Sequence, residues 1–355
     1  MLGKDGPAGL PTPPLPVSFD TLSYMPELPE VETIALGLAK RVTGDVIESV
    51  WLGEKPEPLK SPAREIAATL EHARIAAVRR VGKHIVFDLE SNGVARARPS
   101  TGSGQALSAK RQGSAKKRRF SEINASGVSS IQNPAGKSAR PTRAQNPADE
   151  GVRRSTTAQW IVHLGMTGSL QVCEPRAELL KHTHAVLKLA SGRELRFVDP
   201  RRFGRLSVVP AGNFDAGGFE PLEVELDRFT SLFRGRKTPI KSALLNQKLL
   251  RGVGNIYADE SLFRAGIRPR RRAASISREQ LGKLFLSVRE VLQEAIALGG
   301  SSISDYVDAD GEEGFFQLQH RVYGREGEPC LVCKTPIKRV VIAGRSSHYC
   351  AKCQK

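Results

Sequence analysis

The sequence predicts a multidomain α+β protein: an N-terminal helix with a β-sandwich, then a helical domain, then a small metal-stapled tail. Three observations carry this. Between Val46 and Val209 apolar residues fall in short, alternating or β-branched stretches. From about Asp227 the apolar period changes from two to 3.6. Four of the five cysteines lie in the last 26 residues as two Cys-x-x-Cys pairs. A chain of 355 residues has room for two or three domains and a sizeable core.

Residues 1 to 24 are rich in Pro and Gly and periodic in nothing, which predicts a disordered extension. From Pro29 the text PEVETIALGLAKRV reads as an amphipathic helix. Proline and acids stand in its first turn, and Val31, Ile34, Leu38 and Val42 recur at helical spacing. Strands are predicted over 46–52, 75–80 and 84–89, then over 160–164, 169–173, 185–189, 194–198 and 205–209, with Ser191-Gly192 as a hairpin turn. Helices are predicted over 241–250, 256–265 and 278–298, the last stopped by Gly299-Gly300. The domains read as 25–226, 227–323 and 324–355. Cys173 stands alone and reads as a core residue of the β domain.

The chain carries 54 Lys/Arg against 37 Asp/Glu, a net charge of +17, which points to a polyanionic partner, nucleic acid before membrane surface. No run of eighteen apolar residues exists, which excludes a helical membrane span, and the first residues lack the pattern of a secretion signal. Residues 93–157 hold 13 Lys/Arg and 3 Asp/Glu, or +10 of the total, with one aromatic and no apolar period. Such a stretch cannot bury enough surface to offset its ordering entropy, so it reads as a disordered insertion at a hairpin tip. Its cluster Lys116-Lys117-Arg118-Arg119 admits a second reading as a DNA-engaging arm.

Cys330, Cys333, Cys350 and Cys353 have the spacing of a structural zinc ribbon, whose four thiolates leave no position for catalytic water. Two disulfides are the competing reading and fit poorly with a chain of cytosolic character. The text between the pairs carries Lys338, Arg339, Arg345 and His348, a basic finger suited to a DNA groove. Gly252-Val-Gly254-Asn255 lacks the third glycine and the preceding strand of a dinucleotide fingerprint. It reads instead as a phosphate cradle at a helix start, with a purely structural turn as the alternative.

Five motifs stand in one order: Met25-Pro-Glu-Leu-Pro-Glu-Val-Glu-Thr33, His163-Leu-Gly-Met-Thr-Gly-Ser-Leu170, Asp199-Pro-Arg-Arg-Phe-Gly204, Gly252-Val-Gly-Asn-Ile-Tyr-Ala258 and the terminal cysteine pairs. Together they resemble the formamidopyrimidine-DNA glycosylases, bacterial base-excision repair enzymes for oxidised purines. The resemblance runs from Met25 to Lys355 apart from 93–157. It implies a β-sandwich, a helix-two-turn-helix domain and a finger holding one structural zinc ion. It further implies a bifunctional glycosylase and AP lyase acting on damaged double-stranded DNA; a monomer is expected because one polypeptide holds every part the chemistry needs, and the absence of a span or secretion signal points to the cytoplasm.

Such chemistry needs an amine that attacks C1′ and forms an iminium with the opened sugar. A terminal proline offers a secondary amine of pKa about 8, with an appreciable neutral fraction at pH 7. In the family this proline follows the initiator methionine, which maps onto Pro26. Glu27 then resembles the acid/base carboxylate, Lys83 the lysine of β-elimination and damaged-purine contact, and Arg345 the arginine of δ-elimination. Met166, Arg201 and Phe203 resemble the residues that fill the void left by a flipped base. Arg202, His163, His182, Lys237, Lys241 and Asn255 correspond to phosphate contacts. Ser301 to Gln317 resembles the loop over the flipped purine, and its Asp308, Asp310, Glu312 and Glu313 speak against phosphate contact there.

One feature departs from the pattern. With residues 1–24 attached, Pro26 is a tertiary amide without a nucleophilic lone pair; a true start at Met25 and processing between Met25 and Pro26 are the two explanations, and the expectation is the first. An endonuclease VIII-like pyrimidine glycosylase is the rival within the same chemistry. A non-catalytic zinc-containing DNA-binding protein is the rival outside it, and Glu27, Lys83 and Arg345 argue against that reading.

Overall fold

Helix α1 (Leu28–Val42) shows how one short segment serves two cores. Its Val31, Ile34, Ala35, Leu38 and Val42 are buried in the sandwich core, whereas Leu28 at its start belongs to the core of the helical domain. Glu30 accepts the backbone N–H of Glu27 at 2.9 Å, so the first turn is stapled to the residue before it. The structure, a computed structural model, describes residues 25–91, 156–301 and 314–355. The expected disorder of the 1–24 extension, most of the 93–157 insertion and the acidic loop residues fall outside those residues.

The sandwich consists of two four-stranded antiparallel sheets. One has the order β1 (Ile47–Leu52), β6 (Thr183–Leu189), β7 (Glu194–Val198), β5 (Ser169–Cys173). The other has β2 (Ala73–Val81), β3 (His84–Ser91), β4 (Thr156–His163), β8 (Arg205–Pro210). Every predicted strand is present. The insertion closes earlier than the residue 157 predicted, because β4 already begins at Thr156, which pairs with Glu90. In the register, His84 faces His163 and Phe87 faces Trp160, whose rings lie 4.8 Å apart in the core. Cys173 ends an outer strand and is half-buried rather than in the core, and burial still raises its thiol pKa. Helix α2 (Ala63–Leu70), which buries Ile66 and Leu70, was not predicted: two large apolar side chains in eight residues make too short a period to read.

The helical domain holds α3 (Leu226–Phe233), α4 (Ile240–Leu244), α5 (Asn255–Arg264) and α6 (Arg278–Ala297). The predicted 241–250 helix stops at Leu244. Asn246 accepts the N–H of Lys248 on its own side chain at 3.0 Å, a local turn that competes with helical bonding. Ser277 and Gln280 cap α6 reciprocally, and Gly299 and Gly300, both at positive φ, end it. A hairpin of β9 (Ile337–Ile342) and β10 (Arg345–Cys350) completes the finger. Glu260 of α5 anchors the approach to it. Its buried carboxylate accepts the backbone N–H groups of Arg321, Val322 and Tyr323 at 2.8 to 3.1 Å. Among the described residues no helix is long and apolar enough to cross a membrane.

Candidate active site

The start of α1 lies where the two cores meet. Leu28 donates its N–H to the Gly252 carbonyl at 3.0 Å, which sets buried Pro26 and Glu27 against the turn before α5. Beside them opens a cleft of about 370 Å³, lined by Glu27, Lys83, His163, Asn255, Tyr323 and Arg345. The sandwich supplies Lys83 from the β2–β3 turn and His163 from the end of β4. Helix α5 supplies Asn255, and the finger hairpin supplies Arg345. Five of these six lining residues were candidates from the sequence, Tyr323 being the exception.

Glu27 is 4% exposed, and its Oε1 accepts the N–H of Ile256 at 3.2 Å. A Cβ on Gly254 would stand 2.1 Å from the Glu27 carboxyl carbon, so glycine there is what admits the carboxylate. The phosphate-cradle reading of Gly252–Asn255 is thereby corrected. The anion at this helix start is the protein's own carboxylate, because Gly252 and Gly254 give their space to Leu28 and Glu27. Burial pushes the Glu27 pKa up to about 7, with neighbouring Glu30 adding to the rise and Lys83 opposing it. Its Oε2 finds no hydrogen-bond partner among the described residues. Burial also lowers the pKa of Lys83; Glu27 and Glu30 oppose that shift and Arg345 adds to it. Burial, then the charges of His84, Lys83 and Arg205, take His163 down to about 3. Its Nδ1 accepts the Gly165 N–H at 3.1 Å, so the neutral ring keeps its proton on Nε2, a donor for an anion.

A second group of candidates occupies two interlocked loops, 165–168 and 199–204. Asp199 is fully buried and ties them: Oδ1 accepts Thr167 Oγ1–H at 2.6 Å and the Arg201 N–H at 3.2 Å, and Oδ2 accepts the Gly204 N–H at 2.7 Å. A Cβ on Gly165 would meet the Gly204 nitrogen at 2.6 Å, which shows how closely the backbones approach. Arg201 and Phe203 stand exposed, with the guanidinium 4.9 Å from the ring centroid, and Met166 is half-buried on the neighbouring loop. Arg202, in a left-handed conformation, reaches Glu57 at 2.9 Å. His182 is half-buried and Lys237 exposed.

Lys241 is a correction. It is 0% exposed, its Nζ lies 2.7 Å from Asp259 Oδ1, and it donates to the Ser346 carbonyl at 2.6 Å. A cation committed to two buried partners does not contact phosphate.

The four cysteines form one cluster whose sulfur atoms all lie within 4.8 Å of one another. Cys333 and Cys350 are 3.4 Å apart and Cys330 and Cys353 3.9 Å, far beyond a disulfide bond. Those separations suit a tetrahedron of thiolates around zinc, whose edges measure about 3.8 Å for Zn–S near 2.3 Å.

Three family models match the chain in order. The formamidopyrimidine-DNA glycosylase N-terminal domain covers 25–124 and 143–206, the helix-two-turn-helix domain of the same enzymes covers 218–307, and the zinc finger found in FPG and IleRS covers 327–355. The formamidopyrimidine-DNA glycosylase of Ruegeria sp. is 35% identical over 349 residues, covering 93% of this chain and 100% of that one. The chain belongs to the formamidopyrimidine-DNA glycosylase family. The enzyme of that name from Solibacter usitatus is 53% identical over 197 residues, 55% of this chain and 73% of the relative. The crystal structure of Thermus thermophilus MutM (Fpg) matches with a TM-score of 0.67 at 35% identity, covering 93% of this chain and 98% of that one. A Lactococcus lactis FPG mutant in complex with Fapy-dG DNA matches with a TM-score of 0.71 at 27% identity, covering 93% and 100%. The chain is accordingly a DNA glycosylase for oxidised purines, with a four-cysteine site for one structural zinc.

Proposed function

We propose that the cleft excises oxidised purines from duplex DNA through Pro26 and then nicks the strand by β,δ-elimination. The supporting observation is Glu27: a buried carboxyl of pKa about 7, adjacent in the chain to Pro26, with Lys83 and Arg345 on the same walls. Once the Met25–Pro26 bond is cut, Pro26 has a secondary amine. Its lone pair attacks C1′, the glycosidic bond breaks, and the base leaves with its electron pair and gains a proton. Glu27, protonated in an appreciable fraction of molecules at neutral pH, hands its proton from Oε2 to the opening ribose oxygen. The iminium acidifies C2′; loss of that proton breaks C3′–O3′, the step assigned to Lys83, and a second elimination breaks C5′–O5′ beside Arg345. Lowered basicity suits Lys83 to accept a proton near neutral pH.

Met166 and Phe203 enter the stack as the damaged base leaves it, and Arg201 meets the widowed pyrimidine. His163, Asn255, His182, Arg202 and Lys237 hold the backbone. The zinc finger keeps Arg345 in its hairpin; zinc takes part in no bond-making step. The chain works as a monomer on damaged chromosomal DNA in the bacterial cytoplasm; in support, one polypeptide supplies every group named.

The pH profile tests this reading. Pro26 must be neutral, so the rate climbs toward an amine pKa of about 8. Glu27 must be protonated, so the rate declines above about 7, and the product of the two is a bell. In single-turnover excision, Glu27→Gln is expected to lose the alkaline descent from its reduced rate while keeping the acid limb. An unchanged alkaline limb in that variant would remove Glu27 from the role of acid.

A further inference from the structure

The finger hairpin turns through Ala343 and Gly344, both at positive φ, so Ile342 and Arg345 face each other as the first pair of the ladder. In an antiparallel pair the hydrogen-bonding direction alternates, so the main-chain groups of Ser346 and His348 point away from β9, along the outer edge of β10. Among the described residues no strand lies on that edge. Its place is taken by two charged side chains from the helical domain. Lys241 of α4 donates Nζ–H to the Ser346 carbonyl at 2.6 Å, and Asp259 of α5 accepts the His348 N–H on Oδ2 at 2.8 Å. The two are paired to each other at 2.7 Å, both 0% exposed. Asn255 adds Nδ2–H to Ser346 Oγ at 3.3 Å.

We propose that the buried Lys241–Asp259 pair is the positioning device for Arg345, acting as a surrogate strand that fixes β10 against α5 and so holds the arginine at the cleft. Two features favour positioning over general support. The pair grips the residue immediately after Arg345, and that grip is the first one beyond a turn whose own residues are exposed. The finger is held to the helical domain separately, Gln354 Nε2–H donating to the Ile267 carbonyl at 2.8 Å and the Lys355 N–H to the Gly266 carbonyl at 2.9 Å, so its attachment does not depend on the pair. What the pair adds is the angle and depth of the hairpin tip. The inference rests on the δ-elimination role proposed for Arg345.

The test is the product distribution on a duplex holding a preformed abasic site, measured for zinc-loaded enzyme with Pro26 freed. Lys241→Met and Asp259→Asn are compared with Arg345→Ala. The expected result is a fall of about tenfold in the δ- to β-product ratio for Lys241→Met, approaching that of Arg345→Ala. Asp259→Asn, which keeps an acceptor for His348, shows a smaller fall, and zinc content and borohydride-trapped adduct stay near wild type in both. A normal ratio in folded Lys241→Met, with Arg345→Ala impaired, would overturn the positioning role alone. A normal ratio in Arg345→Ala would overturn the reading of Arg345 and the inference with it. Should Lys241→Met lose zinc or fold, Asp259→Asn decides by the same criterion; loss of fold in both would make the pair a structural pin and overturn the proposal.

Discussion

Two glycine-rich turns in this enzyme use the same residue for opposite purposes. At Gly252-Val-Gly254 the missing side chains make a recess, and the chain fills it with Leu28 and the Glu27 carboxylate. At Gly165 and Gly204 the missing side chains let two loop backbones touch, with Arg201 and Phe203 exposed and Met166 half-buried beside them. The first turn builds a dry, charged interior in which a carboxyl titrates near neutrality. The second builds a rigid platform for side chains that are to leave the protein surface and enter DNA. Local sequence looks alike in both; the difference is what arrives from elsewhere in the chain.

That contrast predicts different penalties for the same small change. Gly254→Ala places a methyl where the Glu27 carboxylate sits, 2.1 Å from its carbon, while the residue's φ of −127° suits alanine. The carboxylate is the free end of a side chain and can swing away. The expected result is a protein of normal thermal stability and DNA affinity whose excision rate falls about a thousandfold; wild-type turnover would break the comparison. Gly168→Ala drives its methyl to 2.1 Å from the Leu164 carbonyl oxygen, which is backbone and cannot yield locally. Here the loss falls on stability, about 2 kcal/mol by denaturant melting, with weaker binding of lesion duplex following from the displaced loop. Unchanged stability would show that the 164–168 turn is not closed as tightly as described. Met166→Ala is the mildest: stability unaltered, excision about tenfold slower, and the defect shrinking when the lesion lies opposite a gap. A defect independent of the opposite strand would place Met166 outside the void-filling set.

Much of this was legible in the sequence. The eight sandwich strands follow from alternation, α6 from its period and glycine stop, and the zinc cluster from cysteine spacing, since each of those signals is local. Lys241 and the Gly252–Gly254 turn were misread for one reason. Lys241 meets Ser346 across 105 residues and Glu27 meets Ile256 across 229, and no local pattern announces such partners. Read locally, a lysine and a glycine turn in a basic protein both suggest phosphate. Asp259, Glu260 and Tyr323 went unnoticed in the same way: acids within a helix and a lone tyrosine read as surface and core. Asp199 stood inside a recognised motif, yet its role in tying the loops needed the fold.

The central claim is that Pro26, once terminal, is the nucleophile of this cleft. Borohydride trapping on an 8-oxoguanine·C duplex tests it most directly, comparing protein spanning Met1–Lys355, with its first 24 residues verified intact, against protein beginning at Pro26. The account predicts a reducible covalent adduct from the Pro26 form alone, mapped to that residue by mass spectrometry. An equal adduct from the intact chain, or one mapped to Lys83, would contradict it.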